Sequence, residues 1–237
     1  MISRIFSKSE LNEALKGYTP DVLSGKLKAL AKGYGFSYPF LKFFVQDKKG
    51  AVIGIYYGSA VVVGKLDEEA YEFLINTFSG EILMSEENSA LFGTFSPEPL
   101  YIMEYTGGVA FEKTALKTDT PYERVYEILR EGFNISFEDW YTDTCHNVRH
   151  GISEVFTYND TATAEKMFSI DGISLISLVA VKNSARGKGV GGLLIKNVSE
   201  RLLESGKVYV ICEKELIPFY EKNGYKFYKN CIQIKTD

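Results

Sequence analysis

The chain has 237 residues, 45% of them hydrophobic and 24% charged, with 27 basic against 31 acidic side chains for a net charge of −4. That is enough apolar chain to bury a core unaided, and it leaves no basic excess for a dedicated nucleic-acid binder. The 16 tyrosines and 16 phenylalanines exclude a disordered chain. Three cysteines, none in a Cys-x-x-Cys pair, exclude a disulfide framework, and two histidines leave little for a metal site. Arg4, Lys8, Glu10, Glu13 and Lys16 interrupt any signal-peptide core, and the uncharged run Ala51–Gly64 is too short to span a bilayer. A soluble, cytoplasmic protein without membrane, nucleic-acid or metal partners is expected.

The first thirty residues read as two helices, one opened by Ser9 and Glu10 and the second over Asp21–Leu30. Phe40–Gln46 and Ala51–Tyr57 read as strands flanking a hairpin turn, Asp47-Lys48-Lys49-Gly50, and Ala60–Val63 as a third. A helix from Asp67 to Phe78 and strands at Ile82–Met84 and Leu100–Tyr105 follow. The pattern loosens over Gly107–Thr120, which places a domain boundary after residue 112, between domains 1–112 and 113–237. Thr120 is the expected N-cap of a helix with Pro121 at its first position and Glu123 completing a capping box. Ser136 and Asp139 open the next helix, which runs toward His150. Strands Ser153–Tyr158 and Ala164–Ile170 flank Asn159-Asp160-Thr161. Ile173–Val181 is a long apolar strand, Lys207–Cys212 a buried one, Leu216–Asn223 a short helix and Tyr225–Ile234 the closing strands. Each half thus reads helix–helix, three strands, helix, strand, short helix, strand, which points to an α/β fold with a mixed sheet, duplicated in tandem.

The informative segment joins Ile173–Val181 to the helix after it: Arg186-Gly187-Lys188-Gly189-Val190-Gly191-Gly192. Glycines let the backbone turn sharply and approach a ligand. Free amides and the dipole at a helix start favour a phosphate, and Arg186 and Lys188 add positive charge. Gly187, Gly189 and Gly192 spell the dinucleotide pattern G-x-G-x-x-G. Lys182–Arg186, however, separate the first glycine from its strand, and too little chain follows for the further βα units of a dinucleotide domain.

This segment resembles the acetyl-coenzyme A motif of the GNAT (Gcn5-related N-acetyltransferase) family, Gln/Arg-x-x-Gly-x-Gly/Ala, preceded by Leu178-x-x-Val181. Pro218-Phe219-Tyr220-Glu221-Lys222-Asn223-Gly224-Tyr225 is similar to the family's fourth helix and following turn. The resemblance covers about residues 113–237. It implies an acetyl-coenzyme A-dependent N-acetyltransferase in which an amine attacks the thioester directly. The alternative it leaves open is a non-catalytic acyl-coenzyme A-binding module of the same fold.

By this resemblance, the pyrophosphate rests on Arg186, Gly187, Lys188, Gly189, Val190, Gly191 and Gly192. The pantetheine arm runs along Leu178, Val179, Ala180 and Val181, and Glu213 borders the site. An N–H near Val179 polarises the acetyl carbonyl. Tyr220 lines the cofactor and protonates the leaving thiolate. The strand Ile173–Leu178 has no ionisable group, so the base is water, Glu154, Glu213 or none. The run Ile211–Tyr220 is similar to arylalkylamine-type members, which implies a small primary amine as acceptor; a peptide amine and a homodimer remain open. Trp140 and Tyr141 fall where family members line the acceptor site.

Adjacent helical residues point apart by about 100°, so Cys145-His146 does not read as a nucleophile and base. His146 and His150 find only Asp143 nearby as a third ligand. In the N-terminal half Asp67, Glu68 and Glu69 stand where the glycine loop would be. They suit a helix start but would repel a pyrophosphate, so that half is expected to be a degenerate copy.

Overall fold

The computed structural model describes residues 1–47, 50–108 and 110–236. Lys48 and Lys49 of the expected hairpin turn, Val109 and Asp237 lie outside the described residues. Contacts divide the chain into two units, Met1–Tyr101 joined by the residues from Lys229 onward, and Ile102–Tyr228. Relative to the expected domains, residues 102–112 pass to the second unit and those after Tyr228 to the first.

The first unit opens with a strand that no sequence signal announced, β1 (Ile2–Ile5). Helix α1 (Lys8–Leu15) begins two residues earlier than expected, because Ser7 Oγ accepts from Glu10 N at 3.2 Å. At α2 (Val22–Tyr34) Asp21 and Ser24 form a reciprocal capping box. Then come β2 (Leu41–Gln46), β3 (Val52–Tyr56), β4 (Ser59–Val63), α3 (Glu68–Thr77), β5 (Gly80–Ser85) and a 3-10 segment over Glu86–Phe95. The unit's sheet runs β1-β2-β3-β4-β5-β11, where β11 is Tyr225–Thr236. Pairing is antiparallel except for β4 with β5, which the α3 crossover makes parallel. Ile53, Val62, Ile82, Met84, Ile232 and Ile234 pack on Leu74 of α3 and Phe92. On α2, Leu27 approaches so closely that a Cβ on Gly54 would stand 2.4 Å from its Cδ2.

The second unit holds residues 102–105 of β6 (Glu98–Tyr105), α4 (Tyr122–Leu129), α5 (Phe137–Arg149), β7 (Glu154–Tyr158), β8 (Ala162–Ile170), β9 (Ile173–Val181), α6 (Val190–Leu203), β10 (Lys207–Cys212) and α7 (Ile217–Lys222). Its sheet runs β6-β10-β9-β8-β7, antiparallel in the β7-β8-β9 hairpins and parallel between β9 and β10. Asn159 and Asp160 both take positive φ (48° and 52°), as a tight β7–β8 hairpin requires. One face of the sheet packs Val155 and Ala180 on Val125, Ile128, Leu129 and Trp140 of α4 and α5. The other is covered by α6 through Leu194, Ile195, Val198 and Leu202. Ser136 caps α5 as expected, accepting from Asp139 N at 3.1 Å. The Thr120 cap is corrected: Pro121 is the cap residue, no side chain caps α4, and Thr120 Oγ1 instead lies 2.5 Å from Thr157 Oγ1.

The same fold is built twice. β2-β3-β4-β5 and β7-β8-β9-β10 share direction, order and the helical crossover before the fourth strand. The closing strands differ from simple repetition. The strand beside β5 is β11, and the strand beside β10 is β6. Among the described residues no helix is long and apolar enough to cross a membrane.

Candidate active site

Lys207–Val210 of β10 pair in parallel with Ile173–Ile176 of β9, and the pairing stops there. From Ser177 onward β9 keeps only its other neighbour, β8. That ladder is itself broken: Thr163 pairs with Ala180 and Glu165 with Ser177, so Ala164 faces both Leu178 and Val179. This is a β-bulge, and Leu178 sits in it at φ +49°. Ile173–Ile176 are buried, whereas Ser177, Leu178 and Val179 are only half-buried. The bulge and the end of the β10 pairing coincide, so beyond Ile176 the side of β9 turned away from β8 has no strand beside it, and there the Val181 carbonyl accepts from Arg186. No sequence signal marks the bulge, since a leucine at positive φ contradicts its propensity.

The loop after β9 starts with a 3-10 turn, Asn183–Ala185, held from α4's end: Asn183 N donates to Glu131 Oε2 at 2.5 Å. Gly187 (φ +73°) and Gly189 (φ +79°) then take the left-handed region, with open space where a Cβ would project. Gly189 caps α6 without a side chain, and its carbonyl accepts from Leu193 N. Among the described residues the amides of Gly187–Gly192 donate to no protein acceptor. They lie at the positive end of a 14-residue helix, beside open space; this donor set fits an anion such as a pyrophosphate.

Arg186 and Lys188 each spend part of their donors within the loop. Arg186 Nε donates to Val181 O at 3.1 Å and Nη2 to Glu131 O at 2.9 Å, so the guanidinium latches the loop to the end of α4. Lys188 Nζ donates to Ser184 O at 2.9 Å. Gly191 and Gly192 serve packing. A Cβ on Gly191 would meet Val181 Cγ2 at 3.2 Å, and Gly192 abuts Asn223 just after α7.

Helix α7 lies against the loop through Phe219, which a Cβ on Gly191 would meet at 3.6 Å, and Tyr220 is the next residue. Its ring is 6% exposed and packs edge-on against Tyr225 at 5.3 Å, while Tyr225 shares a 2.6 Å hydrogen bond with Ser199 of α6. The Tyr220 hydroxyl has no hydrogen-bond partner among the described residues, yet solvent still reaches the oxygen. Burial, with Cys212 nearby, raises its pKa above the ordinary 10.0, so the proton stays on through neutral and alkaline pH. Cys212 itself is pushed up to about 11 by burial and Glu213. Glu213 is exposed at the start of the 3-10 turn Lys214–Leu216.

Sequence reading missed one group. Glu165 on β8 is 7% exposed, beneath α5. Trp140 Nε1 lies 3.4 Å and Thr144 Oγ1 3.5 Å from its Oε2, and among the described residues no cation pairs with it. Desolvation by burial, with Asp143 adding to it, raises its pKa from 4.5 to about 7. The available signal was a charge in mid-strand, Ala164-Glu165-Lys166. Glu154, the other carboxylate considered as base, faces α6 and is held by Arg201 (2.6 Å) and Lys166 (3.3 Å).

The remaining candidates are otherwise engaged. Trp140 belongs to the core under α4 and α5, and Tyr141 is partly exposed beside Tyr122 and Phe137. His146 and His150 stack at 4.2 Å, and a ring nitrogen of His150 contacts His146 O. Among the described residues no three His, Cys, Asp or Glu side chains group for a metal.

In the matching turn of the first unit, between β4 and α3, three amides are occupied. Leu66 N donates to Asn88 Oδ1 (2.9 Å), Asp67 N to Gln46 Oε1 (3.1 Å) and Ala70 N to Asp67 Oδ1 (2.8 Å).

Residues 147–227 match the acetyltransferase (GNAT) domain family. Solved structures with this fold cover nearly the whole chain. A GCN5-related N-acetyltransferase from Kribbella flavida aligns with TM-score 0.62 and 14% identity over 90% of this chain and 93% of its own. A GNAT-family acetyltransferase from Colwellia psychrerythraea gives 0.60 and 12% over 100% of both chains. A tandem GNAT protein from the clavulanic acid biosynthesis pathway gives 0.59 and 12% over 99% and 98%. No curated protein matches the sequence.

Proposed function

With an acetyltransferase (GNAT) domain at residues 147–227 as premise, we propose that the chain moves an acetyl group from acetyl-coenzyme A to an amine, in the cytoplasm. One observation carries this reading. The unoccupied amide donors of Gly187–Gly192 stand beside the stretch of β9 that β10 leaves unpaired, with Val181 and Phe219 of α7 against Gly191; this supports a seat for the cofactor, with Tyr220 of α7 as its acid.

Acetyl-coenzyme A supplies the thioester carbonyl that the amine attacks. The amides of Gly187–Gly192 hold the pyrophosphate, with Arg186 and Lys188 stiffening the loop. Backbone groups of Val179 and the Val181 amide, where β10 no longer pairs with β9, meet the pantetheine amides; the Val181 carbonyl is already taken by Arg186. The Val179 amide stabilises charge on the carbonyl oxygen as a preorganised donor. Tyr220 gives its proton to the departing sulfur as the C–S bond breaks; its pKa lies above the roughly 8.5 of a free thiol, so the transfer is uphill in isolation and relies on contact in a buried site that disfavours a bare thiolate as well. The acceptor is a small primary amine or a peptide amine.

Turnover with a panel of such amines, read as thiol release from acetyl-coenzyme A, tests this. Amine-dependent release supports it. Tight cofactor binding without turnover on any amine replaces the enzyme with an acyl-coenzyme A-binding module, and absence of binding removes the loop assignment.

A further inference from the structure

Glu165 has no structural task that demands a carboxylate. It pairs with no cation among the described residues, its hydrogen-bond partners Trp140, Thr144 and Ser153 are all neutral, and its neighbour Lys166 turns to Glu154 on the other face of the sheet. Burying such a group is costly, and glutamine would fit the same donors. What is particular is its register. Val155, Glu165 and Ser177 are directly opposed across β7, β8 and β9, so the three side chains share the α4/α5 face. Ser177 is the last residue before the bulge and half-buried. Its hydroxyl has no hydrogen-bond partner among the described residues, and solvent reaches it. Opposed residues in an antiparallel pair hold their Cβ atoms about 5 Å apart. A glutamate and a serine span that distance through one water.

Resting on the acetyltransferase reading above, we propose that Glu165 is the proton acceptor for the acceptor amine, reached through the Ser177 hydroxyl. The amine would then enter from the α4/α5 face of the opening, while Tyr220 stands on the α6/α7 face. As the C–N bond forms, an amine proton passes by way of Ser177 to the Glu165 carboxylate. As the C–S bond breaks, the Tyr220 proton goes to the sulfur. Glu165 then loses its proton to solvent and Tyr220 regains one, so the cycle closes without a further reagent.

The groups around the carboxyl set its titration. They are Tyr122 from α4, Trp140, Asp143 and Thr144 from α5, Ser153 before β7 and Ser177 from β9. None is cationic, and the nearest acid, Asp143, acts in the same direction as burial. The active, deprotonated form therefore builds up as pH rises through about 7.

The test compares the full chain with Glu165→Gln, using acetyl-coenzyme A and the best amine of the panel. Expected is a loss of about 10²-fold in kcat/KM and disappearance of the acidic limb near pH 7, with coenzyme A affinity by calorimetry unchanged. Ser177→Ala leaves the buried carboxyl in place and serves if Glu165→Gln does not fold; a fall in kcat of about 10²-fold is expected, at the weak end of proton-transfer effects. Wild-type rate and pH profile in Glu165→Gln, or in Ser177→Ala where only that variant folds, overturn the proposal. Absence of turnover by the wild type with every amine overturns the acetyltransferase reading beneath it, a separate and recognisable failure.

Discussion

Gly192 and Asn223 leave no room between them: a Cβ on Gly192 would stand 2.7 Å from Asn223 Oδ1. Asn223 is fixed there by its Nδ2, which donates to Phe219 O at 2.7 Å. The glycines of one loop therefore do two different jobs. Gly192→Ala should destabilise the protein by about 1–3 kcal/mol, the usual cost of overpacking. Gly189→Glu meets no neighbour within 4 Å and adds only left-handed strain, about 1–2 kcal/mol. It should keep the fold yet abolish coenzyme A binding, because a carboxylate would occupy the anion seat. Thermal melts and calorimetry on both variants separate the effects; a folded Gly189→Glu with intact affinity would remove the loop from the site.

Tyr220→Phe keeps the edge-on contact with Tyr225 and deletes only the hydroxyl. A loss of about 10²-fold in kcat is expected with coenzyme A affinity little changed. Because burial raises the Tyr220 pKa above 10.0, the wild type should show no alkaline loss of activity from this group between pH 7 and 10.0. Unchanged kcat in the variant would leave water as the proton donor.

Glu165 also writes a pH dependence into stability. Its folded pKa, about 7, lies above the ordinary 4.5, so the folded state binds more protons than the unfolded chain between those values. Stability must then fall as pH rises through that window. At about 1.4 kcal/mol per pH unit, roughly 2.5 pH units amount to about 3 kcal/mol. Glu165→Gln abolishes the slope and should be the more stable protein at pH 8, the two converging near pH 4. Urea unfolding across this range decides it; parallel profiles would mean the carboxyl is ionised in the fold at little cost.

Titration of the chain with acetyl-coenzyme A should saturate at one molecule per chain. In the first unit, Asn88 and Gln46 take the amides of Leu66 and Asp67, Asp67 caps α3 from within, and Asp67, Glu68 and Glu69 place negative charge at the helix start. A stoichiometry of two by calorimetry would show that these internal partners can be displaced.

The loop was legible because its needs are local: Gly187 and Gly189 stand at φ values that other residues avoid. The duplicated order of elements was legible from periodicity and turn chemistry, as at Asn159-Asp160. What escaped depends on neighbours far along the chain. Thr120 has the chemistry of a cap, but Thr157, 37 residues away, engages its hydroxyl. Leu178 is bent by the mismatch between β8 and β9. Glu165 looks like any strand charge until α5 covers it with Trp140 and Thr144.

The strand β11 carries a consequence for biosynthesis. Cys231–Thr236 pair with Gly80–Ser85, and Ile232 and Ile234 lie in the first unit's core. Residues 1–101 therefore cannot complete their sheet until the ribosome has made and released a segment more than a hundred residues later. Residues 102–228 are continuous and can close on themselves first. At the usual 5–20 residues per second, the N-terminal half waits roughly 7–27 s with the edge of β5 unpaired. The half made first would thus be the last to finish folding, and its open edge is where a chaperone or a misplaced strand would find purchase.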